Sequence, residues 1–415
     1  MDCLVRLCLI KQDQIASCFI LCFFNYLTET IAVTIFLSFL QGRPDHPIPA
    51  YQFWEYYIKN GIEEAGDQWM EAQVDWAEGL LTQSGQKLER WRANAWEKTI
   101  VAIKRDRPDL FLSYLYPHQI EASALQQIRD LGVPTVNFFC DNVREFTRVP
   151  PAYQSFDLHW VPEYKALKMY STARLPYLHL PMPMWVPPVH RHLPSKEISS
   201  VCFIGSKDVQ RHLLFEEVVK KKPDFPLEIY GAAWQDEEQK VEVGPVVTST
   251  AGKIRNQVTY LSKHGLLPFY RKLAQRNAHF PVSDELALCL KGRPSFNEYI
   301  ALTSGSLVTL GVNRYPSFRF PVRRPDSYSR LRDIEAPMLG ACYLTERTEG
   351  LDKYYDLGSD IETYSSAAEL IDKVVFLLKE PKIREQLRIN GQTKALNELS
   401  IPHSIKLLKK HFGIR

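Results

Sequence analysis

Strand-length apolar runs alternate with helix-length amphipathic segments in both halves of this 415-residue chain, and that alternation constrains the fold more than any other feature. In the first half, Asp109-Leu-Phe-Leu-Ser-Tyr-Leu115 predicts a strand, residues 120–131 an amphipathic helix, and Thr135-Val-Asn-Phe-Phe-Cys140 a second strand after Gly132-Val-Pro134. Strands joined by a helix-length crossover run parallel and right-handed, which places Asp141 and Asn142 at a carboxyl end, where open α/β sheets bind ligands. Leu158-His-Trp-Val161 and Tyr177-Leu-His-Leu180 read as further short strands. The second half repeats the layout: Val201-Cys-Phe-Ile204 as strand, Gly205-Ser206 as turn, residues 209–220 as helix, and Leu227-Glu-Ile-Tyr230 as strand closing at Gly231. Ser306-Leu-Val-Thr-Leu310 and Ala341-Cys-Tyr-Leu-Thr345 resume the strands.

Between the halves stand Pro181, Pro183, Pro187, Pro188 and Pro194, a density that forbids helix and gives a stiff, extended connector. The reading is an α/β chain of two Rossmann-like lobes facing a cleft. The first lobe spans residues 31–185 and the second 186–395, with a polar, basic insertion of helices and loops at about 235–293. A final helical segment, 396–415, is placed to pack back on the first lobe. Within the first lobe, residues 51–96 read as helices broken at Asn60-Gly61 and Ser84-Gly85. Their tryptophans (Trp54, Trp69, Trp76, Trp91, Trp96) suit helix packing, with sugar stacking the alternative for one of them. Near the end, Ser366 with Glu369 forms a capping box, Pro381 suits the first turn of the next helix, and Asn390-Gly391 is expected to close it.

Residues 1–30 form an apolar extension, and from residue 15 to 40 the only charge is Glu29. Ile31-Ala-Val-Thr-Ile-Phe-Leu-Ser-Phe39 is β-branched and aromatic, as a buried first strand requires, whereas the residues before it leave peripheral membrane contact or an anchor as alternatives. Lys plus Arg (51) nearly balances Asp plus Glu (48), so the chain lacks the field that nucleic-acid binding needs. The eight cysteines contain no C-x-x-C, which supports neither a disulfide framework nor a structural metal and fits a cytoplasmic protein.

An anion at the strand ends can be met by a metal held on carboxylates or by Arg, Lys and helix N-termini. No D-x-D occurs; the nearest forms are Asp333-Ile-Glu335 and Asp360-Ile-Glu362. A helix terminus contributes roughly 0.3 to 1 kcal/mol, whereas a charge-assisted hydrogen bond contributes about 1.5 to 3 kcal/mol, so arginines should dominate. Arg211 follows the Gly205-Ser206 turn, and Arg330 and Arg332 precede Glu335. A solvated helix face is the competing reading of Arg211. Glu335 reads either as an acceptor for ligand hydroxyls or as a capping carboxylate paired with Arg332.

Arg332-Asp-Ile-Glu-Ala-Pro-Met-Leu-Gly340 resembles the R-D-x-E-A-P-x-x-G motif of the CgeB-like glycosyltransferases, a family of glycosyltransferase-B fold related to the family 1 and family 4 transferases. Tyr343-Leu-Thr345, Tyr355-Asp-Leu-Gly358 and Ile361-Glu-Thr-Tyr364 follow in family order. Phe203-Ile-Gly-Ser206, Ile229-Tyr-Gly231, Trp234 and Phe139-Cys-Asp-Asn142 are similar to its strands. The resemblance covers most of residues 31–412. It implies a metal-independent transferase without a cofactor, with a nucleoside-diphosphate sugar bound by the second lobe and a glycan, lipid-linked or protein acceptor bound by the first. Donor-side residues would be Gly205, Ser206, Arg211, Tyr230, Gly231, Arg332, Glu335 and Gly340, with Arg211 and Arg332 on the leaving diphosphate and Glu335 on the ribose. Asp141 and His118 are the candidate acceptor bases, each of a type that also serves structural roles. Glu335 takes the second place of the related E-x7-E motif, and Ser327 stands where the first glutamate would be, so the stereochemical course stays open. A nucleotide-sugar epimerase and a noncatalytic nucleotide- or sugar-binding subunit fit the same architecture.

Overall fold

The structure, a computed structural model, describes residues 32–39, 50–81, 85–235, 265–274, 281–315 and 325–414, with positions 254, 257, 258 and 261. The N-terminal extension and most of the insertion lie outside these residues. Twelve strands among them form two six-stranded sheets, ordered β2-β1-β3-β4-β5-β6 and β12-β11-β10-β7-β8-β9. Every strand pairing within the sheets is parallel.

In the first sheet, β1 (Thr34–Phe39), β3 (Leu110–Tyr114) and β4 (Thr135–Phe138) are almost wholly buried, as strands covered on both faces must be, and this explains their continuous apolar composition. β2 (Gln68–Glu71) forms one edge, and the short β5 (Leu158–Trp160) and β6 (Tyr177–Leu178) form the other. Helices α1 (Ala50–Glu64), α2 (Trp76–Leu81), α3 (Gly85–Asp106), α4 (Ala122–Asp130), α5 (Asn142–Glu145) and α6 (Tyr164–Ala173) complete the lobe. The rings of Trp91 and Trp96 meet Trp76 edge-on at 5.7 and 5.4 Å, so these tryptophans do pack helices.

The second sheet is built from β7 (Ile198–Ile204), β8 (Leu227–Tyr230), β9 (Leu290–Gly292), β10 (Ser306–Gly311), β11 (Tyr343–Glu346) and β12 (Glu362–Tyr364). It carries α7 (Val209–Lys221), α8 (Leu266–Ala274), α9 (Asp284–Ala287), α10 (Phe296–Gly305), α11 (Arg332–Met338), α12 (Ala367–Lys379) and α13 (Pro381–Glu398). The last helix, α14 (Ile401–Phe412), returns to the first lobe: Ile401, Ile405 and Leu408 enter its core, and Lys409 Nζ pairs with the buried Asp67 carboxylate at 2.7 Å.

Several sequence expectations need correction. Neither Asn-Gly pair breaks a helix. α1 runs through Asn60-Gly61 because a Cβ at Gly61 would lie 2.4 Å from Ile401 of α14, and α13 runs through Asn390-Gly391 because a Cβ at Gly391 would lie 2.6 Å from the Asp360 carbonyl oxygen. These glycines permit close packing where turns were expected. Between the supposed helices of residues 51–96 the chain also makes β2 after Gly66, whose φ of +80° ends α1. The insertion, expected to hold only helices and loops to residue 293, closes with β9, which extends the sheet beside β8.

Candidate active site

The carboxyl ends of both sheets meet at one cavity of about 600 Å³. The first lobe contributes Trp54, Tyr114, Tyr116, Cys140, Asp141 and Arg144, and the second Gly205, Arg211, Asn313, Tyr328, Arg330, Arg332 and Glu335. Six of the residues singled out from sequence therefore converge: Asp141, Gly205, Arg211, Arg330, Arg332 and Glu335.

On the second lobe, β7 ends at Gly205 and the chain turns into α7. Asp208 caps that helix by accepting from the backbone N–H of Gln210 and Arg211. Arg211 lies 3.2 Å from the Asp208 carboxylate and donates to the Ser206 carbonyl oxygen at 2.7 Å, so it is fixed beside the turn and is not a solvated helix residue. Gly205 is required here: a Cβ would come within 2.9 Å of Phe203 and 3.3 Å of Arg211 Nη1. Gly231 backs the same turn, because a Cβ there would lie 2.3 Å from the Gly205 carbonyl oxygen, which also accepts from Trp234 Nε1 at 2.7 Å. Tyr230 donates its hydroxyl to Glu228 and, like Ser206 and Gly231, is not among the cavity-lining residues.

The other cations come from the start of α11. Arg330 lies over the Tyr328 ring at 5.1 Å and donates through Nη2 to the Arg314 carbonyl oxygen, leaving its buried Nε without a partner. Arg332 lies over the Tyr299 ring at 5.0 Å, and its Nη1 is likewise buried and unpartnered. Glu335, one turn on, accepts from the Tyr299 hydroxyl and not from Arg332, which removes the capping-pair reading. Burial, with the charge of Arg330 next, pushes the Arg211 guanidinium down to about 10. A cluster of cations whose members repel each other and hold unused donors is an incomplete electrostatic arrangement that an anion would complete.

The scaffold of this cluster is Asp333, fully buried among four donors. Its carboxylate accepts from the Tyr343 hydroxyl (2.8 Å), the Thr345 hydroxyl (2.9 Å), Asn313 Nδ2 (2.9 Å) and the Arg330 backbone N–H (3.1 Å). Gly311 makes room for this network, since a Cβ would sit 2.2 Å from the Tyr343 hydroxyl oxygen. Gly340 lies at the far end of α11 with φ +78°, packed under Leu193 and Gln392, so it shapes the helix-to-strand turn away from the cavity. Ser327 bonds to the Thr348 hydroxyl at 3.0 Å and lines a separate, more open hollow with Tyr164 and Arg347. The place of the absent first glutamate thus does not face the cavity.

On the first lobe, Asp141 precedes α5 at the end of β4, and burial holds its carboxyl above the usual range against the pull of Arg144 and Arg330. His118 is elsewhere: its Nε2 meets the Gly79 carbonyl oxygen at 3.2 Å, and it does not line the cavity. Burial lowers its basicity, consistent with a packed ring between helices. Of the five tryptophans, for one of which sugar stacking was the alternative to helix packing, Trp54 lines the cavity, packed on Phe138 at 5.4 Å.

A carboxylate not anticipated from sequence ties the two walls together. Glu163, 1% exposed, accepts from the Asn142 backbone N–H at 2.5 Å and from the Tyr315 hydroxyl of the other lobe at 2.6 Å. Tyr315 stacks on Tyr328 at 4.5 Å, beneath Arg330. Burial raises the Glu163 carboxyl to about 7. A raised folded value favours the protonated form in the fold, so the stabilisation is complete below the ordinary carboxyl range and is lost as pH rises through 7. Wild type is therefore expected to lose about 2 kcal/mol between pH 5 and 7 relative to Glu163→Gln, which lacks that proton linkage. Urea denaturation of both proteins at the two pH values measures it, and parallel pH profiles would exclude Glu163 as the titrating group.

Comparison with known proteins agrees with this architecture. Residues 284–410 match a family model described as glycosyl transferase-like. Sucrose-phosphate synthase from Thermosynechococcus elongatus superposes with a TM-score of 0.53 at 12% identity, covering 92% of this chain and 99% of that one. HepE from Anabaena, solved in complex with UDP, gives 0.53 at 10% identity over 91% and 99% of the two chains. A glycosyltransferase from Rickettsia africae gives 0.53 at 9% identity over 92% and 98%. This is the glycosyltransferase-B fold. No curated protein sequence matches the chain. Within the glycosyltransferase-B architecture, the matched residues 284–410 include α11, and so supply Arg330, Arg332 and Glu335 to the cavity.

Proposed function

We propose that the chain is a CgeB-like glycosyltransferase that moves a sugar from a nucleoside-diphosphate donor to an acceptor hydroxyl in the cavity between the lobes. The observation that carries this reading is the convergence of Arg211, Arg330 and Arg332 on one cavity, two of them with buried donors left over. A nucleoside diphosphate is the complementary ligand: its two phosphates match a cation cluster at the carboxyl ends of β7 and β10.

In this mechanism Arg211, Arg330 and Arg332 take up the charge that develops on the departing diphosphate, so neutralisation needs no metal. Glu335, oriented by the Tyr299 hydroxyl, accepts from the ribose hydroxyls. Asp141, on the opposite wall with a carboxyl held above its usual range, takes the proton of the attacking acceptor hydroxyl. HepE, a protein of the same fold, was solved with UDP and with UDP-glucose, which supports choosing uridine nucleotides first.

Calorimetric titration with UDP, GDP and dTDP in the presence of EDTA tests the donor assignment. One nucleotide is expected to bind, and Glu335→Ala to weaken it roughly tenfold through loss of a charge-assisted hydrogen bond. No binding of any of the three by the folded protein would reject the donor site.

A further inference from the structure

We propose that Glu163 and Tyr315 are positioning residues for Asp141: Glu163 takes over the capping of α5, which leaves the Asp141 carboxylate facing the cavity, and Tyr315 holds Glu163 in that place from the other lobe. The inference rests on the transferase reading only in the role given there to Asp141.

Asp141 stands in the N-cap place of α5, where an aspartate ordinarily accepts from the backbone N–H groups of the first turn. Its side chain makes no such bond, although Asp208 in the same place on α7 makes two. The donors that Asp141 passes over are met by Glu163, whose Oε2 accepts from the N–H of Asn142 at 2.5 Å and of Val143 at 3.4 Å. Glu163 itself stands in the N-cap place of α6 and makes no cap bond to that helix. One carboxylate thus serves the helix that another begins. The one relieved lines the cavity with 21% of its side chain exposed.

The exchange is held from both lobes. Within the first, the Asn142 side chain is already committed: Nδ2 donates to the Phe139 carbonyl oxygen and Oδ1 accepts from the Tyr170 hydroxyl of α6, each at 2.8 Å. From the second, Tyr315 donates to Glu163 Oε1 at 2.6 Å. Tyr315 belongs to a short arm beyond β10, in which Arg314 and Ser327 form an antiparallel bridge. On the returning side of that arm Asp326 pairs at 3.3 Å with Lys165, two residues past Glu163, and Tyr328 carries Arg330 over its ring at the cavity. A carboxylate that is 1% exposed is costly to bury unless donors meet it, and here they come from both sides of the cleft. The lobe that bears the cation cluster therefore also fixes the carboxylate opposite it. Without Glu163, the N–H groups of α5 are left to Asp141, which then turns from the cavity to cap its own helix.

Carboxyl labelling of the full chain with a water-soluble carbodiimide and glycine ethyl ester, read by mass spectrometry, tests this. Carbodiimide reacts with the protonated carboxyl, so an Asp141 that faces the cavity, held above its usual range by burial, is labelled faster than one that accepts N–H bonds. Glu163→Ala is expected to slow labelling at Asp141 about fivefold, the equivalent of one cap bond, and Tyr315→Phe about twofold, with Asp157 of the same lobe unchanged in both. Glu163→Gln keeps an acceptor oxygen for Asn142 and should label as wild type does. The sign separates this from a merely structural role, because loosening the lobe would speed labelling at Asp141. Faster or unchanged labelling in Glu163→Ala would overturn the proposal, as would an equal loss in Glu163→Gln. Tyr315→Phe keeps the ring and removes one oxygen, so it carries the test should Glu163→Ala not fold, and unchanged labelling there would overturn the part given to the second lobe. Labelling reports where the carboxylate stands: these outcomes would overturn the proposal with nucleotide binding intact, whereas failure to bind any nucleotide would reject the donor reading and leave the labelling result in force.

Discussion

Replacing Arg330 and Arg332 together by methionine is expected to lower nucleoside-diphosphate affinity by roughly two to four orders of magnitude, because each guanidinium lost from a phosphate removes about 1.5 to 3 kcal/mol. Methionine keeps an apolar stem in place of the arginine stem, so the change reads mainly as loss of charge and donors. The single substitution Arg330→Met gives the sharper control. Among the described residues the Arg330 guanidinium donates to the Arg314 carbonyl oxygen, while its charge is one of the causes that hold the Arg211 guanidinium down. Losing that neutral-acceptor bond costs about 1 kcal/mol and relief of the repulsion offsets part of it, so the melting temperature should move by only a few degrees. Affinity should nevertheless fall by about tenfold or more. This separation of stability from binding is what a site arranged to receive an anion predicts. Calorimetric titration and thermal melting of both variants measure it. Unchanged affinity in the double variant would mean that the diphosphate lies elsewhere.

How far this site was legible in the sequence depends on the range over which its parts are connected. Asp141, Gly205 and Arg211 follow from local rules: a strand, its carboxyl end, and the first turn of the next helix. Arg332 and Glu335 were visible through the motif at 332–340. The misreadings share another cause. Asn60-Gly61 and Asn390-Gly391 look like turns because glycine terminates helices when nothing else acts on it, but here Ile401 and the Asp360 carbonyl, remote in sequence, occupy the space a side chain would need. His118 follows a strand as Asp141 does, yet the short helical turn after Pro117 directs it to the Gly79 carbonyl. Glu163 and Tyr315 were beyond reach, since a hydrogen bond between residues 152 positions apart leaves no periodicity to detect. Asn313 was the avoidable omission. It stands two residues past the end of β10, the polar residue at a strand's carboxyl end that the same rule had selected at Asp141.

The residue on which the cluster rests is not itself a ligand group. Asp333→Ala is expected to destabilise the protein by about 4 kcal/mol, because it deprives the Tyr343 and Thr345 hydroxyls, Asn313 Nδ2 and the Arg330 N–H of their shared acceptor in a site closed to water. Against a total stability of roughly 5 to 15 kcal/mol, that loss brings the fold near its threshold. Asp333→Asn retains one acceptor oxygen but turns an NH₂ group toward donors, so an intermediate loss of about 2 kcal/mol is expected from urea denaturation. The Asn variant should remain folded and can therefore report on the site. The backbone N–H that Asp333 holds belongs to Arg330, and the Asn313 side chain it binds lines the cavity, so weakening this network releases one cation and one wall at once. Nucleotide affinity should fall in Asp333→Asn although the substituted side chain never meets the ligand, and the loss should be much smaller when Arg330→Met is already present. Full additivity in that double-mutant cycle would show that Asp333 supports the fold without positioning Arg330.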